Sequence, residues 1–364
     1  MNLTLVALGT RGDVEPVVAL GVGLKAAGHR VRLATAESFA PLAAAAGLEF
    51  HAIDGDLEGW MRGPDGVALI AAGMDPDAFA DGFVDSLEIM AEPLLDATLQ
   101  ACEGADAIVC AMLVSPARHV AERLGAPFVA ARFAPWGRLT ELGGGPEPPL
   151  GFRARDLVAR WRRRLGLPPE GEAEPAGPVL RAYSAAVVPG PAESVTGYWF
   201  LDRPWAPPPA LLDFLAAGPP PVCIGFGSMP SRDPAALAEL AMQALARAGR
   251  RGVLLTGWGG LGDAALSGEV LALEAAPHDW LLPRAAALVH HGGAGTTAAA
   301  ARAGAPQVIV PFIADQLFWG RRVHALGVGP APIPRTELTA ERLATAIRAA
   351  TDGPQVRSRA AVLA

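Results

Sequence analysis

The chain has 364 residues, 51% of them hydrophobic and 18% charged, with a formal net charge of −7. That length makes two domains, the apolar fraction fills two cores, and the acidic balance disfavours a nucleic-acid partner. Three cysteines, an odd number, argue against a disulfide framework, and no run reaches the ~18–20 apolar residues of a membrane span.

In chain order, apolar runs alternate with helical periods, which predicts parallel sheets flanked by helices. Residues 3–8 read as a strand, with no basic leader or cleavage pattern before it. A helix over 15–27 closes at Gly28, a strand follows at 31–34, a helix at 38–46 stops at Gly47, and 48–53 pairs in. A long helical region covers 77–103. Strand 107–111, helix 116–124 and strand 127–131 continue the alternation. A poorly patterned stretch leads to an Arg-rich helix at 153–165, a loop at 168–178 and short strands near 184–188. Residues 203–209 form a proline-stiffened connector, which divides a domain over 1–202 from one over 210–364. The second half has strands at 222–225, 252–256, 269–273, 287–290 and 307–310, with helices at 234–248, 296–303, 315–326 and 339–350. Cys110 and Cys223 fall inside apolar strands and read as buried thiols of a reducing, cytoplasmic compartment.

The most informative stretch is His290-His291-Gly292-Gly293-Ala294-Gly295-Thr296-Thr297. A strand, a Gly-rich turn and a helix N-terminus turn free backbone N–H groups and the positive dipole end outward, which makes an anion site. The glycines admit a ligand close to the backbone. Thr296, Thr297 and one of the two histidines add donors, and alternation along the strand allows only one ring towards the ligand. About twenty residues on, Asp315-Gln316 sets a carboxylate beside an amide, a pair suited to neighbouring sugar hydroxyls. A diphosphate site followed by a hydroxyl reader points to a nucleotide sugar.

With these motifs the chain resembles the family 1 glycosyltransferases, in the branch that contains bacterial natural-product and sterol glycosyltransferases. Residues 290–297 resemble the donor signature, and Gly9-Thr10-Arg11-Gly12-Asp13-Val14-Glu15-Pro16 the acceptor-side loop. Pro277-His278-Asp279-Trp280-Leu281 and residues 312–322 are similar to the sterol-type members. The resemblance runs from residue 1 to about 350 and is loose over 55–180. It implies an α/β fold of the GT-B type, two Rossmann-like domains facing across a cleft. The first would bind the acceptor and the second the donor.

The resemblance also implies roles. Asp13 is the general base, with Arg11 and Gly12 in the acceptor loop; read from the residues alone, Asp13 serves equally as a helix N-cap. Gly227 and Ser228 meet the donor phosphates, as do His291, Gly293, Gly295 and Thr296. Pro277 and His278 lie where the backbone grips the base, Trp258 packs on the nucleotide or in the core, and Asp315 with Gln316 reads the sugar. UDP and dTDP both stay open. No cofactor is expected beyond this co-substrate and no metal, since no His-x₃-His pairing occurs and Asp54-Gly55-Asp56 lies in the other half. An apolar acceptor would draw on a subset of Trp60, Met61, Met74, Phe79, Phe83, Met90, Met112, Phe133 and Trp136.

The Arg-rich stretch 153–164 reads as a solvated face or as a reversible contact with an anionic membrane surface. The leading functional expectation is an inverting, metal-independent transfer of a hexose or deoxyhexose from a UDP- or dTDP-sugar to a hydrophobic small-molecule hydroxyl. A nucleotide-sugar epimerase or hydrolase of the same fold, and a non-catalytic nucleotide-sugar-binding partner protein, are the alternatives.

Overall fold

The computed structural model of the chain describes residues 1–53, 57–73, 75–142, 149–169, 177–190, 194–227, 229, 233–257 and 268–364. Packing divides them into two compact units. One is built from the residues up to Leu201, the stretches 70–74 and 137–146 excepted, and the other from Asp202 onward.

In the first unit the strands are β1 (Asn2–Val6), β2 (Arg30–Thr35), β3 (Glu49–Ala52), β4 (Ala107–Cys110), β5 (Phe128–Arg132) and β6 (Val179–Arg181), in the order β3-β2-β1-β4-β5-β6. Every pairing is parallel, with Leu5 level with Leu33 on one side and Val109 on the other. Side chains alternate along each strand. Leu5, Leu33 and Val109 therefore face Val14, Val17 and Val18 of the helix Arg11–Ala26. Their neighbours Val6, Ala34, Ile108 and Cys110 face the other core, with Leu94 and Leu95 of Ala91–Cys102 and Val120 of Ala117–Leu124. Both faces are buried, as an all-parallel sheet requires.

The second unit repeats the plan with β7 (Val222–Gly225), β8 (Gly252–Leu255), β9 (Val270–Leu273), β10 (Ala287–His290) and β11 (Gln307–Ile309), in the order β11-β10-β7-β8-β9. Its pairings are parallel too. In each sheet the winding reverses once, between β1 and β4 and between β7 and β10. Such a reversal opens a crevice beyond the carboxyl ends of the two strands.

Several expectations change. The helical region read over 77–103 is two helices, Pro76–Ile89 and Ala91–Cys102, separated at Met90. The indole N–H of buried Trp161 donates to the Ala91 carbonyl at 3.0 Å, a tie that no local period announces. The helices Leu57–Arg62, Pro64–Ala72 and Pro354–Leu363 had no counterpart in the reading. The strands near 184–188 do not form. The sixth strand is Val179–Arg181, and Ser184 turns the chain by accepting the N–H groups of Val187 and Val188. The proline-rich stretch is tied down at its start and within it: Asp202 takes both Arg302 guanidinium nitrogens at 2.7 and 2.6 Å, and Trp205 meets Trp280 edge-on at 5.1 Å. A helix, Pro209–Ala216, starts at its last proline.

The Arg-rich stretch forms the helix Arg155–Arg164 with Arg153 just before it, and three of its arginines pair with neighbouring acidic helices, so nothing in the fold supports a membrane contact. Arg153 reaches Asp77 and Asp81, Arg160 reaches Glu88, and Arg164 reaches Glu92 and Asp96. Arg162 is buried. It donates to both Glu122 oxygens at 2.6 and 3.0 Å and to the Pro168 carbonyl at 2.6 Å, with His119 Nδ1 at 3.0 Å. Burial and the adjacent guanidinium hold His119 down to about 4. Helical spacing makes such a run look like a charged face; the acidic partners come from 40 to 76 residues away.

Removing Arg162 strands a buried carbonyl and an imidazole. Arg162→Ala is therefore expected to cost about 2 kcal/mol or more, whereas Arg160→Ala, at an exposed pair, should cost about 0–1 kcal/mol. Denaturant midpoints of the two variants test this; equal losses would refute the distinction.

Candidate functional site

The first cluster of interest sits where β1 ends. The helix Arg11–Ala26 starts at once, with Thr10 as its N-cap, so Asp13 is its third residue and not the cap. The Thr10 backbone N–H donates to Asp13 Oδ2 at 2.8 Å and the Thr10 hydroxyl donates to the same oxygen at 3.0 Å. This is the reciprocal arm of a capping box. Both bonds land on Oδ2, and the described residues give Oδ1 no donor. Gly9, at φ 140°, completes the turn. A Cβ there would run into Asp13 Oδ2 and lie 2.7 Å from its Cγ, so the carboxylate position depends on that glycine.

Burial raises the Asp13 carboxyl above the usual carboxylate value, and the two Thr10 bonds offset only part of that rise. The result is a carboxylate more basic than an exposed one, fixed at the carboxyl end of the central strand. Arg11 and Gly12 are exposed beside it, and Arg11 Nε pairs with Glu15 at 3.2 Å along the helix.

The second cluster belongs to the other unit. Parallel pairing brings Gly225 of β7 level with His290 of β10, so the two following loops lie side by side. His290 turns inward: its Nε2 is 3.0 Å from Gln307 Oε1, and its Nδ1 accepts the Gly292 N–H at 3.1 Å. His291 is the other case. It is buried, yet among the described residues its Nδ1 has no hydrogen-bond partner. Its ring lies between two glycines: a Cβ on Gly227 would stand 3.0 Å from Cε1, and one on Gly293 would collide with Nε2. Burial, aided by nearby His278, pushes His291 down to about 4, and burial lowers His290 to about 3. His291 is thus a neutral ring offering hydrogen bonds.

The helix Ala294–Arg302 follows, with side-chain-less Gly293 as its N-cap. Its first intrahelical bond runs from the Thr297 N–H to the Gly293 carbonyl at 2.9 Å. The N–H groups of Ala294, Gly295 and Thr296 therefore precede the helical ladder. Gly295 is exposed and Thr296 half-buried. Thr297 is not a ligand donor, because its hydroxyl is already given to the Gly293 carbonyl at 2.9 Å.

The loop after β11 modifies the expected sugar reader. Gln316 is buried, and its Oε1 accepts the backbone N–H groups of Phe312 and Ile313 at 2.7 and 3.1 Å, while its Nε2 donates to Met229 Sδ at 3.4 Å. The amide carbonyl therefore holds the loop and is not presented to a ligand; one Nε2 hydrogen is all that is left. Asp315 is half-buried and accepts the Trp319 indole N–H on Oδ2 at 2.6 Å. Ala314, just before it, is in the left-handed region at φ 53°. A strained residue of this kind persists only where its surroundings over-determine it.

Pro277 caps the short helix His278–Leu281 at the end of the segment after β9, where Glu274 also takes the Gly257 N–H at 2.9 Å. Ser228, Trp258, Met74 and the Asp54-Gly55-Asp56 sequence lie outside the described residues. Among those that are described, no group of three or more His, Cys, Asp and Glu could hold a metal ion. Phe79, Phe83 and Met112 pack against the first unit's core, and Phe133 meets Trp199 edge-on at 5.9 Å in the core on the opposite face of that sheet. Cys102, Cys110 and Cys223 are buried and free, and burial pushes Cys102 and Cys223 up to about 12. Among the described residues no helix is long and apolar enough to cross a membrane.

The contacts of Thr10, Gln307, Met229 and Trp319 emerge only in the folded chain. Thr10 had a usable signal, a Thr three residues before an Asp at a helix start. The other three act through contacts distant in sequence or through a rotamer.

The Asp13 titration carries a sign. Between the ordinary aspartate value and its raised one, the folded chain keeps a proton that the unfolded chain has released. Its contribution makes stability fall as pH rises through that window. Asp13→Asn removes the titration, so the variant's urea midpoint relative to the parent should climb as pH rises above the ordinary aspartate value through that window. Parallel curves would show that the carboxyl is not desolvated.

Comparison with known proteins adds the following. Residues 3–142 match the glycosyltransferase family 28 N-terminal domain, and residues 261–364 the erythromycin biosynthesis protein CIII-like C-terminal domain. An O-mycaminosyltylonolide 6-deoxyallosyltransferase of Streptomyces fradiae is 38% identical over 397 residues, covering 99% of this chain and 92% of that protein. A sterol 3-beta-glucosyltransferase of Arabidopsis thaliana, UGT80A2, is 38% identical over 406 residues; this chain is wholly covered and spans 62% of the plant protein. Among solved structures, the glycotransferase of kitacinnamycin superposes with a TM-score of 0.73 at 22% identity, over 100% of this chain and 93% of that one. The glycosyltransferase VinC, in complex with DTDP, does so with a TM-score of 0.72 at 21% identity, over 100% and 94%.

Proposed function

The chain belongs to the family 1 glycosyltransferases with the GT-B fold, and from that premise we propose that it is an inverting, metal-independent enzyme. In this reading it moves a hexose or deoxyhexose from a UDP- or dTDP-sugar to a hydroxyl of a hydrophobic small molecule. Residues 1–202 would serve the acceptor and residues 210–364 the donor. The names of the relatives favour such acceptors, O-mycaminosyltylonolide in one case and sterols in the other. The buried free thiols favour a reducing cytoplasm.

One observation carries the reading: Asp13, a carboxylate made more basic by burial and held by Thr10 at the end of β1. Inversion requires one base and no covalent nucleophile. The acceptor oxygen bonds to the anomeric carbon on the face opposite the diphosphate while Asp13 takes its proton. The bond from that carbon to the phosphate oxygen breaks, and its electron pair leaves with the diphosphate. The departing charge would meet the N–H groups at the start of Ala294–Arg302, the neutral His291 ring and Gly227, with Ser228 as a further contact. Pro277, His278 and Trp258 would border the base. Asp315 and the remaining Gln316 N–H would meet sugar hydroxyls.

The test is transfer from UDP- and dTDP-sugars to sterol and macrolide acceptors, followed by mass, with the product anomer assigned by NMR. Asp13→Asn is expected to lower turnover by about 10²–10⁴-fold with donor affinity nearly unchanged. In the parent, kcat/KM should decline as pH falls through the raised Asp13 value, because the protonated base cannot accept. EDTA should leave both enzymes as they are. Wild-type turnover in the variant with chemistry limiting, or activity lost in EDTA and restored by Mg²⁺, would refute this mechanism.

A further inference from the structure

Trp319 stands outside every role assigned so far. It is fully buried on the helix Gln316–Leu326, with Phe318 edge-on at 4.9 Å. A buried indole needs an acceptor for its N–H. Here that acceptor is Asp315 Oδ2, at 2.6 Å. A neutral N–H paired with a carboxylate gives a short, strong bond.

The Asp315 side of this pair is unusual. Asp315 occupies the N-cap position of its helix, where aspartate ordinarily accepts a backbone N–H of the first turn. The carboxylate makes no such bond. It is turned instead onto an indole one helical turn along, while the Trp319 backbone N–H donates to the Asp315 carbonyl at 3.1 Å. The residue before it has φ 53°, and Gln316 behind it clamps the loop through the Phe312 and Ile313 N–H groups. The indole bond thus acts on the carboxylate itself, while the left-handed Ala314 and the Gln316 clamp fix the loop that carries it.

We propose that Trp319 is a positioning residue that fixes the rotamer of Asp315, so that this carboxylate is held aligned for the hydroxyls of the donor sugar. The inference rests on the donor-site reading above. It specifies a division of labour: Gln316 holds the loop, Trp319 holds the carboxylate, and Asp315 meets the ligand. A pre-aligned carboxylate loses little freedom when the sugar binds. A freely rotating one would be drawn back to the helix N-terminus.

The experiment compares UDP-glucose with UDP, and dTDP-glucose with dTDP, by calorimetric titration. Trp319→Phe keeps an aromatic ring and removes the N–H. It should weaken binding of the sugar nucleotide about tenfold and leave the free diphosphate within about twofold. Asp315→Asn should do the same, and the double variant should be no worse than Asp315→Asn alone, because both changes remove one coupled contact. If Trp319→Phe does not fold, benzothienylalanine installed at position 319 removes the N–H at constant shape. Equal weakening of sugar nucleotide and diphosphate, wild-type binding of both, or additive losses in the double variant would each overturn the inference. A parent protein that binds the sugar nucleotides no better than the diphosphates would instead sink the sugar-reading role of this loop, and the inference with it.

Discussion

Parallel pairing of β10 against β7, with Gly225 level with His290, is the constraint on which the second half of the molecule depends. Because both strands run the same way, their loops leave the same edge of the sheet. Because the winding reverses between them, the two chains depart to opposite faces and leave a crevice. That geometry forces Gly227 and Gly293 against the His291 ring and leaves no room for a Cβ at Gly293. The first half obeys the same rule between β1 and β4, and there it delivers Asp13.

Burial then decides the charge state of the groups so delivered. Asp13 is pushed towards its neutral form and both histidines are held neutral. The opposite directions have one cause, since desolvation penalises whichever form carries charge. For Asp13 the effect is a stronger base. For His291 it means that an anion would be met by hydrogen-bond donors and oriented N–H dipoles rather than by a fixed cation. Such groups are preorganised because each is tied from behind: His290 by Gln307, Gln316 by two loop amides and Asp315 by Trp319.

The Arg-rich helix shows the same principle on a surface. Read alone, six arginines in 153–164 make a basic patch. In the fold Arg153, Arg160 and Arg164 pair with Asp77, Asp81, Glu88, Glu92 and Asp96 on two neighbouring helices, and Arg162 is inside. Charge counted along a sequence window says nothing about the charge that packs opposite it. The three buried cysteines carry a related lesson: apolar strands predicted burial for Cys110 and Cys223, and burial is what suppresses their thiolates.

The alternation of strands and helices, the paired parallel sheets and the glycine-rich turns were legible in the residues, because period and turn chemistry are local. The Gly9–Pro16 loop and the 290–297 stretch stood out for the same reason, and most of the strand limits follow the apolar runs within a residue or two. Where local signals were weak the reading missed: helices over 57–72, the break at Met90, the strand at 179–181. It also could not say what each polar atom bonds. Gln316 read as a ligand contact because an amide beside a carboxylate suits sugar hydroxyls; only the folded loop shows its Oε1 taken by Phe312 and Ile313. Thr297 and Asp13 changed roles likewise, one given to the Gly293 carbonyl and the other moved from cap to third helical residue. Sequence spacing thus determined which chemical groups arrive at the strand ends. Hydrogen-bond partners and desolvation depend on atoms brought together from distant positions, so the tertiary structure alone decided which of those groups remain available to a ligand.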